Sequence, residues 1–237
     1  MCVLAIWHRC VDGAPVVLAT NREERWDRPA EPPRVWPGSP AVLAGRDPAG
    51  GGTWLGVNAH GVVVAVTNRR GPVGPPGAPS RGMLCRDALA AGTAREAADL
   101  ATLRLATGRY AGVNVLALDA ATAEVVHGGA RPDRVPLAPG PHALTSRDVD
   151  DPDDPRAQRL LAAMAGAPAD VPALLTWAAG TMGGFIKRLP DRGTVSSTIL
   201  AATGDPGTAA YWYAPGAPDR SSYVDRSGLY RAIVAGR

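Results

Sequence analysis

The chain has 237 residues, 46% of them hydrophobic, enough for one large core, so residues 1–237 are read as a single domain. Its 25 basic and 22 acidic residues are interleaved without a dense basic stripe, so a nucleic-acid partner is not expected. Three cysteines, Cys2, Cys10 and Cys85, lack CxxC spacing and are expected as reduced thiols, and no apolar run approaches the ~20 residues of a membrane span. The opening residues lack the pattern of a signal peptide, which points to a cytoplasmic location.

Val3 to Trp7 and Pro15 to Thr20 are apolar or β-branched and flank Asp12-Gly13, the signature of a hairpin, so Cys2 heads a strand. Residues 21 to 40 hold many charges and five prolines and read as a long connection. Thr53 to Asn58 and Val62 to Asn68 form a second hairpin around Ala59-His60-Gly61, entered through Gly50-Gly51-Gly52. After a Gly/Pro-rich segment, Ser80 caps a helix over Arg81 to Ala91, and Thr93 with Glu96 forms a capping box ahead of Ala97, Leu100, Ala101 and Leu103.

Strands are expected at Val113 to Asp119 and Glu124 to His127, with short ones near Val135 and Ala143 to Thr145. Pro155 opens a helix through Leu160, Leu161 and Met164, and a further helix runs from Val171 to Ala179. Val195 to Ala202 and Ala209 to Tyr213 close the pattern as strands, leaving a tail from Ala214 to Arg237 read as a last strand plus a partner contact. Consecutive strands joined by hairpins disfavour a parallel doubly wound sheet. The order fits an α+β fold, a four-layer αββα sandwich of two antiparallel sheets.

Cys2 directly follows the initiator methionine, and a side chain this small lets Met1 be trimmed, which places a thiol and a free α-amine on one residue. An α-amine titrates near about 7.7–8.0 and a thiol near about 8.5, so the amine can take the thiol proton at neutral pH without a histidine. A buried strand cysteine with no chemistry is the alternative, and position alone weighs the two equally.

The segment Asn21-Arg22-Glu23-Glu24 resembles the Asn-Arg-Asp-Glu signature of the NRDE family, with Glu at the third place. Gly51-Gly52-Thr53-Trp54-Leu55-Gly56-Val57-Asn58, Gly61, Thr67-Asn68-Arg69-Arg70, Ser80-Arg81-Gly82 and Ser196-Ser197-Thr198 continue the resemblance in order, from Met1 to about residue 200. That family, also called the transport and Golgi organisation protein 2 family, implies an N-terminal-nucleophile hydrolase fold. The chemistry it points to is that of choloylglycine hydrolases and penicillin V acylases, in which an N-terminal cysteine works with an arginine, an acidic residue and two asparagines.

By this resemblance Arg22 and Glu24, placed on the loop after the second strand, hold the Cys2 thiolate and amine, an ordinary ion pair with Glu23 or Asp27 being the other role open to Arg22. An arginine beside a thiol lowers its pKa. Asn68, ending a strand expected beside Cys2, supplies an oxyanion donor, a contribution of roughly 2.7–4 kcal/mol in other acyl-transfer enzymes. Thr145 and Ser146 stand near the place of the second asparagine, and Asn21, Trp54 and Ser197, with Ser196, are candidate lining residues for substrate. His8, His60, His127 and His142 lack metal-ligand spacing, so no metal is expected, and Gly50 to Gly52 lack the features of a nucleotide loop. Cys10 and Cys85 are expected as core fillers.

The expected function is that of an N-terminal cysteine amidohydrolase or acyltransferase acting on a small amide-like or acyl substrate through a Cys2 thioester, without a cofactor. The alternative is a non-catalytic carrier of haem or another hydrophobic ligand in the same cleft, with Cys2 as a ligand.

Overall fold

The computed structural model describes residues 2–71 and 73–236. Strands β1 (Val3–Val11) and β2 (Ala14–Arg25) form the expected hairpin, with Gly13 at φ +73° in the turn, a conformation that favours glycine. The long connection expected over residues 21 to 40 is overturned. β2 runs on through Asn21-Arg22-Glu23-Glu24, and β3 (Glu31–Trp36) follows. Charge does not stop β2, because its polar end is paired along β11 and Asn21, Arg22 and Glu23 are buried. The prolines are tolerated because β3 lies at a sheet edge and its ladder is interrupted between Glu31 and Arg34.

A strand not expected, β4 (Val42–Arg46), precedes the expected hairpin of β5 (Leu55–Asn58) and β6 (Val63–Asn68). Helix α1 (Arg81–Ala88) ends earlier than expected and is capped by Ser80, whose hydroxyl accepts from the Gly82 N–H at 3.2 Å. In α2 (Ala94–Leu105) the Thr93 hydroxyl accepts from the Glu96 N–H at 3.2 Å, while the Glu96 carboxylate reaches back to the Gly92 N–H at 2.8 Å. Each such cap contributes about 1 kcal/mol. Then come β7 (Val113–Leu118), β8 (Ala123–His127), β9 (Asp133–Pro136) and β10 (Gly140–Leu144).

Helices α3 (Pro155–Met164) and α4 (Val171–Met182) are capped by Asp154 and Asp170. They lead to β11 (Arg192–Ala202), β12 (Ala210–Ala214), β13 (Val224–Asp225) and α5 (Ser227–Ala235). The tail therefore holds a helix as well as the single strand expected. Among the described residues no helix is long and apolar enough to cross a membrane.

The chain divides into two compact units. The first combines Met1–Arg28 with Pro139–Arg231; the second holds Pro29–Ala138 and Ala232–Arg237. In the first, the antiparallel sheet runs β10-β1-β2-β11-β12-β13. Val3, Ala5, Trp7, Val17, Ala19, Ile199 and Ala201 pack with Leu160, Met164, Leu174 and Ala178, so α3 and α4 cover one face. Trp7 meets Trp177 edge-on at 5.9 Å. In the second, β3 to β9 form a sheet in strict sequence order, and α1 and α2 cover one face through Leu84, Leu89, Ala97 and Ala101. Two antiparallel sheets with helices are the α+β class expected.

Candidate active site

Strand alternation divides the Asn21-Arg22-Glu23-Glu24 segment between two faces. Val17 and Ala19 lie in the helix-facing core, so Asn21 and Glu23 point the same way. The Asn21 amide donates to the carbonyls of Met182 at 3.0 Å and Phe185 at 3.2 Å, tying β2 to the end of α4 and the 3₁₀ turn after it. The Glu23 carboxylate accepts from the Arg156 guanidinium, which also donates to the Phe185 carbonyl at 2.7 Å. Arg22 is assigned by the same alternation to the face opposite the helices.

Cys2 immediately precedes β1, whose Val3 pairs with Asn21, so the register carries it to the level of Arg22. Burial pushes its thiol above the ordinary value, an effect opposed by the Glu23 backbone N–H donating to the sulfur and by the positive charge of Arg22; the Glu23 carboxylate pushes it further up. A thiol held high is mostly protonated at neutral pH, so attack by Cys2 requires a base.

On the other side of β2, Arg22 pairs with Ser196 of β11. Tyr213 of β12 stands beside that serine. Burial raises its phenol, opposed by the neighbouring Ser196 hydroxyl and the charge of Arg22. Arg22 and Ser196 are buried, and the row Cys2, Arg22, Ser196 with Tyr213 at its flank brings together a thiol, a cation and two hydroxyls.

The other expected residues fall in several places. Glu24 is half-buried, accepts from the Arg25 N–H at 2.9 Å and pairs with Arg28 at 3.8 Å; the buried acid adjoining Cys2 is Glu23. Both Arg22 and Glu24 lie within β2 and not on a loop. Thr145 and Ser146 are buried just beyond β10, the neighbour of β1, and the Thr145 hydroxyl donates to Asp154. The Ser197 hydroxyl donates to the Thr20 carbonyl at 3.0 Å and meets the Tyr223 hydroxyl at 2.6 Å.

Asn68 and Trp54 belong to the second unit. Asn68 is exposed at the end of β6, opposite Val113. β6 lies between β5 and β7 in the seven-stranded sheet, which corrects the expectation that it adjoins the strand of Cys2. The Trp54 ring lies on Gly45, where a Cβ would stand 2.6 Å from it. Gly52 packs its backbone on Gly82, leaving 2.1 Å for a Cβ, so this glycine serves the approach of α1. Cys85 is buried as expected, whereas Cys10 is exposed and fills no core.

Glu23, Arg156 and Tyr213 were not singled out from the sequence. Extending the alternation of Val17 and Ala19 through residue 23 separates Glu23 from Glu24; no local signal points to Arg156 or Tyr213. Among the described residues no cluster of three or more His, Cys, Asp or Glu side chains stands ready for a metal ion.

The family model for "Transport and Golgi organisation 2" matches residues 1–168. The mouse Transport and Golgi organization 2 homolog is 30% identical over 148 residues, covering 58% of this chain and 52% of its own length. The bovine homolog is 31% identical over 148 residues with the same coverage. The chain thus spans about half the length of the curated relatives it matches.

Among solved structures, penicillin V acylase from Agrobacterium tumefaciens superposes with a TM-score of 0.61 at 12% identity, over 97% of this chain and 87% of the acylase. The Caenorhabditis elegans ortholog of N-acylethanolamine-hydrolyzing acid amidase gives 0.58 at 12% identity, over 84% and 92%. A mutant conjugated bile acid hydrolase from Clostridium perfringens gives 0.58 at 10% identity, over 96% and 93%. The fold is that of the N-terminal-nucleophile hydrolases, and with most of its length matched by the family model this chain belongs to the Transport and Golgi organisation 2 family.

Proposed function

We propose that the protein is an N-terminal cysteine amidohydrolase or acyltransferase, a reading carried by the placement of Cys2 at the level of Arg22 with the Glu23 N–H on its sulfur. Removal of Met1 frees the α-amine of Cys2. That amine takes the thiol proton, the sulfur attacks the carbonyl carbon of an amide, and the proton passes to the leaving nitrogen as the C–N bond breaks. Water or a second amine then attacks the thioester, yielding an acid or a new amide and returning the proton to the thiol.

Arg22 favours the thiolate during attack, and the Ser196 and Tyr213 hydroxyls are the polar groups next to it. Glu24 is proposed to support the amine, with Thr145 and Ser146, buried just beyond β10, as proposed pocket residues. Asn21 and Ser197 are already engaged by backbone carbonyls and are assigned to holding the walls of the site. Amide-cleaving neighbours of the same fold support a small amide substrate. Cysteines kept as free thiols suit a cytoplasmic location.

Trimmed protein, verified by intact mass, is to be treated with a β-lactone probe. Acyl adduct is expected at Cys2 and to be lost completely in Cys2→Ala, while Cys85→Ala labels as the native protein does. Retention of Met1, or equal binding of haem and acyl probes to native protein and Cys2→Ala with no adduct in either, replaces this reading with the carrier.

A further inference from the structure

Helix α3 begins with three residues that leave little freedom in where its first turn points. Asp154 accepts from the Arg156 N–H at 3.0 Å and from the Thr145 hydroxyl, and Pro155 supplies the fixed φ of a first helical residue. The guanidinium of Arg156 then reaches Glu23 on β2 and the Phe185 carbonyl at 2.7 Å, the carbonyl that also accepts from Asn21. The Glu23 side chain is 1% exposed and that of Arg156 25%. An ion pair with one member so deeply buried is costly to break, because the remaining charge stays in the interior.

Glu23 touches the chemistry twice. Its backbone N–H donates to the Cys2 sulfur and its carboxylate sets a negative charge near it. We infer that Arg156, acting through Glu23, is a positioning residue for Cys2: it anchors the backbone that donates to the sulfur and neutralises the adjoining carboxylate. The inference rests on the cysteine-nucleophile reading and assigns that site a structural control on thiolate formation. The charged and titratable groups acting on the thiol are Arg22 and Glu23 of β2, Arg156 of α3 behind Glu23, Tyr213 of β12 beside Arg22, and the residue's own α-amine in the trimmed chain.

The sign follows from Coulomb's law. Leaving Glu23 unpaired adds negative charge near the sulfur and disfavours the thiolate; removing the Glu23 charge alone leaves a cation and favours it. The test is the rate of iodoacetamide alkylation at Cys2 against pH, read by peptide mass with Cys10 and Cys85 as internal references. It uses full-length trimmed protein whose near-ultraviolet circular dichroism matches the native. Arg156→Gln is expected to slow labelling at pH 7 about three- to tenfold by moving the midpoint upward, and Glu23→Gln to move it downward. The double variant is expected within about twofold of native, and Arg156→Lys to keep the native midpoint.

A native midpoint in folded Arg156→Gln, or a double variant as slow as Arg156→Gln alone, overturns the inference. If Arg156→Gln does not fold, an unmoved midpoint in Glu23→Gln does so. Alkylation needs no substrate, so the shifts can be seen even where no amide is ever turned over, and the failure of the enzymatic reading is recognised separately by the missing acyl adduct.

Discussion

Each unit fastens its sheet to a helix end with one buried asparagine, and the two do so differently. In the second unit the Asn58 amide donates to Leu89 and Ala91 carbonyls at 2.9 and 2.7 Å, and its oxygen accepts from the His60 and Val62 N–H groups at 2.9 and 3.0 Å. In the first unit Asn21 donates twice in the same manner, but its oxygen has no hydrogen-bond partner among the described residues. A closed network contributes to stability in full, whereas a half-closed one gives part of that stability up. The half-closed one stands next to Arg22 and Glu23, in the unit that carries Cys2. The buried Asn58 thus fastens the fold, whereas the buried Asn21 does so beside a candidate site.

The largest effect separating the two is expected from the asparagines. Asn58→Ala should lower unfolding stability by about 3–5 kcal/mol and Asn21→Ala by about 1–3, measured by urea titration. Equal costs would erase the contrast. Glycines come next. Gly52→Ala forces a methyl into the backbone of Gly82 and is expected to cost about 2–3 kcal/mol, while Gly13→Ala, with open space around it but φ at +73°, should cost about 1.

The smallest effect is alkaline. Burial pushes the Tyr223 phenol up to about 12 against an opposing hydrogen bond with Ser197. A phenol raised in the folded state binds its proton where the unfolded chain has lost it, so this stability is full below about pH 10 and falls as pH climbs toward 12. Tyr223→Phe is expected to flatten the pH dependence of the melting temperature over that window. An unchanged slope would remove Tyr223 from the account of the first unit.

Much of this architecture is legible in the sequence where neighbours in space are neighbours in the chain. Asp12-Gly13 marks the first hairpin, Ala59-His60-Gly61 the second, and Ser80 and Thr93 the starts of α1 and α2. The second unit's meander follows sequence order throughout, and its run from β5 to β8 is legible in the chain, whereas β3 and β4 are not. The failures lie where tertiary pairing overrides composition. Pro32 and Pro33 argue against a strand until an edge position makes them harmless, and β2 keeps its ladder through four polar residues because β11 supplies partners.

The candidate site followed the same rule. Cys2 is marked by its position and chemistry and Arg22 by the family resemblance, whereas reading Asn21-Arg22-Glu23-Glu24 as a loop hides the division of faces that sets Glu23 apart from Glu24. In α5 the buried Tyr230, Ile233 and Val234 stand at helical spacing, a signal present in the sequence but short.

β1 lies between β2 and β10, and β2 lies between β1 and β11. A ribosome delivers β1 and β2 long before Gly140–Leu144 and Arg192–Ala202 emerge to complete that sheet. Through most of synthesis the nascent chain therefore carries its first strand without a flanking partner on its far side. Under the proposed mechanism, the removal of Met1 that frees the Cys2 amine falls within this interval, before the sheet closes around β1.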